Sequence, residues 1–84
     1  MIRSFADRET EKLFQREFSR RFPPDIQHRV RIKLEMLDAA ERLEDLQQPP
    51  SNHLEALLGD RQWRLCFVWR EGSAHAVELV DYHW

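Results

Sequence analysis

WRLCFVWREGSAHAVELVDYHW, residues 63–84, is the stretch whose reading decides the fold. From Trp63 to Trp69 large apolar residues alternate with others. Trp63, Leu65, Phe67 and Trp69 share one face of a strand, and Arg64, Cys66, Val68 and Arg70 share the other. Glu71-Gly72-Ser73 reads as a tight turn. Ala74 to Tyr82 then reads as a second strand, which makes a β-hairpin. A turn at Glu71-Gly72 brings Arg64 opposite Leu79 or Val80. The chain end Asp81-Tyr82-His83 then lies two or three residues from Arg64, roughly 7–10 Å at strand rise.

The residues before the hairpin read as helices. Ile2-Arg3-Ser4-Phe5 alternates and reads as a short first strand. Asp7 offers an N-cap with acids in the turn that follows. Leu13, Phe14 and Phe18 fall on one helical face, and Pro23-Pro24 end that helix at Phe22. Pro24-Asp25 starts a second helix. Its face is Ile26, Val30, Leu34, Leu37 and Ala40, extended by Leu43 and Leu46. Two such helices pack as an αα-hairpin. Gln47 to Asn52 reads as a loop too short to separate domains. The expected architecture is α+β, one domain over residues 1–84, with the helices laid on a small antiparallel sheet.

The composition is that of a folded protein, 42% hydrophobic and 33% charged. A core is available, but a small one. No apolar run reaches membrane-spanning length, and Met1 to Phe5 opens no secretory pattern. Cys66 is the only cysteine. It lies in an apolar strand, as an inert buried thiol would. The cytoplasm fits these features. The formal net charge is −2 but uneven. Residues 1–33 hold nine Lys/Arg against five Asp/Glu, and residues 34–60 hold Arg42 against seven acids. A polyanion could meet the basic first third, although charged helix surfaces are common.

The hairpin's open end gathers a guanidinium, a carboxylate, a phenol and an imidazole. Arginine holds phosphate bidentately, and histidine moves a proton near neutral pH. Such a group suits phosphodiester cleavage, in which a 2′-OH is deprotonated, a phosphorane is stabilised and a 5′-oxygen is protonated. The same residues could instead finish a core, with Asp81 paired to Arg64. Spacing leaves both readings open. His28, His53 and His75 share no metal-ligand spacing, and Gly59 and Gly72 make no phosphate loop, so no metal and no cofactor is expected. Ser4, Ser19, Ser51 and Ser73 sit in no nucleophile-elbow context.

Four phrases together resemble the HigB-type toxins of the RelE/ParE superfamily. They are MIRSF (1–5), PPSNHLEALLGDR (49–61), QWRLCFVW (62–69) and VELVDYH (77–83). The resemblance covers essentially the whole chain. It implies a RelE-like fold and a ribosome-dependent mRNA endoribonuclease that inhibits translation. It also implies a HigA-type antitoxin as partner. The ribosomal A site and mRNA would be the targets, and operator DNA would be bound only through the antitoxin complex. Carried onto this chain, Arg64 resembles the arginine at the scissile phosphate. Asp81, Tyr82 and His83 resemble the C-terminal catalytic trio, with His83 as proton carrier, Tyr82 orienting or stacking on substrate, and Asp81 orienting its neighbours.

The chain departs from the pattern in three places. Glu55 and Leu58 stand where some relatives have a histidine and a lysine. The chain is slightly acidic, whereas ribosome-binding toxins tend to be basic. Arg61 joins Gln62 directly, where the family has a further turn and strand. That leaves a true deletion or an omitted segment, and the cost of removing a central strand from so small a core favours omission. A relative that only binds its antitoxin, or a ParE-like inhibitor of a protein target, is the alternative reading.

Overall fold

The computed structural model describes residues 1–42, 53–54 and 63–81. In chain order the elements are α1 (Arg8–Phe14), α2 (Pro24–Ala39), β1 (His53–Leu54), β2 (Trp63–Arg70) and β3 (Ser73–Asp81). The strands form an antiparallel sheet in the order β1-β2-β3. The fold is α+β, as the hairpin and the helical spacings imply.

The hairpin turns on Glu71 and Gly72, both at positive φ (53° and 76°). Two left-handed residues in succession match the twist of the strands they join, and glycine adopts the second at no steric cost. Ser73 already belongs to β3, opposite Arg70. The register then shifts between Cys66 and Val68. Val68 faces His75, but Cys66 faces Glu78, so Ala76 and Val77 together oppose Phe67. This is a β-bulge, with Ala76 at φ 52° in the position glycine prefers. The bulge decides between the two expected partners of Arg64, which lies opposite Val80. An unbulged ladder would put Leu79 there and turn every later side chain to the other face.

With the bulge in place, Val77 and Leu79 join Trp63, Leu65 and Phe67 in the core. The helices supply Leu13, Ile26, Val30, Leu34 and Leu37 to the same cluster, and Phe22 and Ala40 join it from just outside the two ends of α2. The α2 spacing read from sequence is therefore the buried face. Helix α2 ends at Ala39, because Ala40 is extended. The expected extension by Leu43 and Leu46 lies outside the described residues.

The first expected strand is present only as two isolated parallel bridges, Ile2 to Ala74 and Phe5 to Val77. They run along the free edge of β3. The Ala74 N–H donates to Met1 O (2.9 Å), Arg3 N–H to Ala74 O (2.8 Å), Val77 N–H to Ser4 O (3.1 Å) and Ala6 N–H to Val77 O (2.8 Å). The Ile2 N–H donates to the Asp38 carboxylate of α2 (2.9 Å), which ties this segment to the helix layer. An edge whose backbone groups are paired offers less to a foreign strand.

The first helix is shorter than its apolar spacing indicates. Asp7 is the N-cap, accepting from the Thr10 N–H, but α1 stops at Phe14 and does not reach Phe22. Arg16 takes φ 65°. Its N–H donates to Leu13 O (3.1 Å), and Glu17 N–H donates to Lys12 O (2.8 Å). That pair of bonds is a Schellman stop with arginine in the place of the usual glycine. Arg31 of α2 donates to the carbonyls of Leu13 and Glu17, both at 3.2 Å, and so ties the helix end and the start of the connector to α2. Phe18 is carried out of the core and is 61% exposed, contrary to its expected place on the buried face.

Candidate active site

The open end of the hairpin is built by β2 and β3 together. Trp63 lies opposite Asp81 and Arg64 opposite Val80. Arg64 and Asp81 are thus one register step apart on neighbouring strands. Strand alternation sends them to opposite faces. Asp81 shares its face with Trp63, towards the helices. Arg64 shares the other face with Val80, Cys66 and Glu78. Arg64 is partly buried and Asp81 is exposed. Tyr82 and His83 lie outside the described residues, as do Glu55, Leu58, Arg61 and Gln62.

The helix-side support of this end was not legible from spacing. Thr10 is fully buried, and its hydroxyl accepts the Leu79 N–H (3.0 Å) on the free edge of β3. The same hydroxyl donates to Asp7 Oδ2 (3.0 Å), whose other oxygen accepts the Thr10 N–H. One capping pair thereby fixes both the start of α1 and the backbone two residues before Asp81. Beyond it, Phe22 meets Trp63 edge-on, with ring centroids 5.7 Å apart. Edge-to-face geometry suits the ring quadrupoles.

Phe22 is held in turn by a buried amide. Gln27 Oε1 accepts the Ser19 N–H (3.2 Å), and Gln27 Nε2 donates to the carbonyls of Ser19 (2.7 Å) and Phe22 (2.9 Å). The Ser19 hydroxyl donates to Glu9 (2.7 Å) and accepts from the Arg21 N–H (3.2 Å). Residues 17–22 are non-helical, yet Gln27 satisfies the backbone they bury. The Ser19 bond holds the Glu9 carboxyl below the ordinary carboxylate range, with Lys12 and Arg21 adding to it against partial burial. Every buried side-chain nitrogen and oxygen among the described residues has a hydrogen-bond partner.

Chemically, the described part of the end provides one guanidinium on the face of the sheet away from the helices and one carboxylate on the helix side. Among the described residues no three metal-ligating side chains converge, and no helix is long and apolar enough to cross a membrane. The signal that was available for the support, and missed, is Gln27 at a core position of the α2 spacing. A buried amide there needs partners, and the connector supplies them.

A family model described as the RelE-like toxin of the type II toxin–antitoxin system HigB matches residues 3–83. Toxin HigB-1 of Vibrio cholerae serotype O1 is 34% identical over 85 residues, covering 88% of this chain and 90% of the relative. Since 88% of 84 residues is about 74, about eleven of the 85 aligned positions have no counterpart in this chain. A match over nearly the whole length, on a fold of the same class, places the chain in the HigB-like family of RelE-type toxins, whose members are the toxin halves of type II toxin–antitoxin pairs.

Proposed function

We propose that this protein is a ribosome-dependent mRNA endoribonuclease, acting in the cytoplasm and silenced by a HigA-type antitoxin. The observation that carries the proposal is the bulge-set register, which puts Arg64 at the open end of the hairpin, one step from Asp81. From there β3 leads directly into Tyr82 and His83. Arg64 grips the non-bridging oxygens of the scissile phosphate, where a fork of N–H donors stabilises the charge that develops. His83 takes the proton of a ribose 2′-OH as that oxygen bonds to phosphorus, and it returns the proton to the 5′-oxygen as the bond from phosphorus to that oxygen breaks. Tyr82 orients the nucleotide or stacks on its base. Asp81, on the other face from Arg64, is a positioning residue for its neighbours and makes no contact with the phosphate.

The eleven or so unmatched positions favour a second reading, a relative that binds its antitoxin and cuts nothing. In it, those positions are the turn and strand that the family has between Arg61 and Gln62. A ParE-like inhibitor of a protein target is the third. One experiment separates all three. Purified protein is added to a translating extract, and mRNA 5′ ends are mapped. New ends that require translation, and that disappear in His83→Ala and Arg64→Ala variants still able to bind antitoxin, uphold the nuclease. Intact mRNA with antitoxin binding retained upholds the second reading. Intact mRNA with blocked DNA supercoiling upholds the third.

A further inference from the structure

The connector between the helices turns a large aromatic side chain out to solvent. Helix α1 could have kept Phe18 on its buried face. Instead Arg16 adopts a left-handed conformation, and Phe18 is delivered to solvent. Left-handed backbone at a non-glycine residue is strained, and such strain concentrates where geometry serves a function. The backbone that follows the exposed ring is also held in place. Gln27 pins the backbone on its C-terminal side through Ser19 and Phe22. An open groove of about 550 Å³ lies against it, lined by Glu9, Lys12, Phe18, Arg20 and Arg21. Glu9 is engaged by Ser19 and Lys12 (3.4 Å), and the Arg21 guanidinium stands 5.6 Å from the centroid of the Phe22 ring. Arg20 is exposed and makes no ion pair among the described residues.

The position of this groove matters as much as its lining. Phe22, one residue beyond Arg21, packs on Trp63, and Trp63 is the register partner of Asp81. Thr10, next to Glu9, holds Leu79. The connector therefore stands at the same end of the sheet as Arg64 and Asp81, on the helix side.

We infer that this connector is a binding surface for single-stranded RNA flanking the cut, with Phe18 as a stacking platform for an unpaired base and Arg20 and Arg21 as phosphate contacts. The inference rests on the nuclease reading for the identity of the strand. An aromatic ring on a rigid backbone beside arginines is the combination that holds unpaired nucleotides without reading their sequence. An apolar protein partner would be served by the ring but not by the two guanidinium groups beside it. Ribosomal RNA shares the chemistry, but adjacency to the strand end selects the substrate strand.

The test uses an unstructured, 2′-O-methylated oligoribonucleotide, which cannot be cut, and reads affinity by fluorescence anisotropy. Phe18→Leu is expected to weaken binding roughly tenfold, as loss of one stacked base does, and Phe18→Trp to preserve it. Arg20→Ala with Arg21→Ala is expected to weaken binding and flatten its salt dependence. Antitoxin binding should stay at the level of the unaltered protein throughout. Unchanged RNA affinity in Phe18→Leu overturns the inference. So does a loss of ribosome co-sedimentation alone, which would assign the surface to ribosomal RNA, or a loss of antitoxin binding, which would assign it to the antitoxin. Because the probe is not cleaved, absence of cleavage in the extract would sink the nuclease reading without deciding this one.

Discussion

The two halves of β3 are held in different ways. On the turn side, Ser73 to His75 lie against the N-terminal segment, and the edge bonds are backbone to backbone, through Met1 and Arg3. Within the bulge Val77 still exchanges backbone bonds with Ser4 and Ala6, and the Ser4 hydroxyl takes the Ala76 N–H (2.9 Å). Past the bulge the supports become side chains: the Thr10 hydroxyl takes the Leu79 N–H, and Phe22 backs Trp63. Backbone pairing tolerates most substitutions, since any residue but proline supplies the same groups. Side-chain support does not. The half of the strand that leads to the candidate site is therefore the half that depends on individual residues.

The largest stability effect is expected where that dependence is deepest. Gln27→Leu removes three hydrogen bonds to the connector backbone, and it should cost about 3 kcal/mol, because buried groups are left unpaired. A urea melt reads it directly. A loss below about 0.5 kcal/mol would show that the connector re-forms its bonds with water and lends the site no support. Thr10→Val keeps the shape but strands the Leu79 N–H, at about 1–3 kcal/mol. Arg3→Ala on the turn side should stay within about 0.5 kcal/mol, because only its backbone is used. Equal losses from Thr10→Val and Arg3→Ala would erase the distinction between the halves.

Smaller effects sharpen the account of the bulge. Ala76→Gly and Arg16→Gly both place glycine at positive φ, and each should raise stability by up to about 1 kcal/mol. Destabilisation by Ala76→Gly, with an altered amide exchange pattern along β3, would mean that alanine holds the register. The smallest effect is a matter of acid. The Glu9 carboxyl titrates lower in the folded protein than in the unfolded chain, so its contribution is present above the unfolded value and is lost as pH falls through the folded one. Melting temperature should fall more steeply below pH 4.5 in the unaltered protein than in Glu9→Gln, and identical pH profiles would contradict this assignment.

Much of this was legible in the sequence, for reasons that differ by element. The hairpin shows in strict alternation and in Gly72, and α2 in five apolar positions at helical spacing. The stop of α1 was hidden, because Phe18 continues the apolar face and no glycine marks Arg16. The bulge was hidden for the same reason at Ala76, so spacing left Leu79 and Val80 as equal partners for Arg64. The supports of the site were illegible because they are tertiary. Gln27, Thr10 and Phe22 have their roles only once the helices lie on the sheet. Arg64 and Asp81 were placed at one end by counting, but the bulge was needed to know their faces.

The central claim is that the open end of β2 acts and the turn end does not. Arg64 and Arg70 begin and end the same face of one strand, which makes them a matched pair. The direct measurement is single-turnover cleavage of mRNA on programmed ribosomes by Arg64→Ala and Arg70→Ala, with antitoxin binding as the check on folding. A fall of roughly 10²–10³-fold for Arg64→Ala is expected, the effect of losing one donor to a developing negative charge, with little change for Arg70→Ala. Equal rates for the two variants would contradict the account.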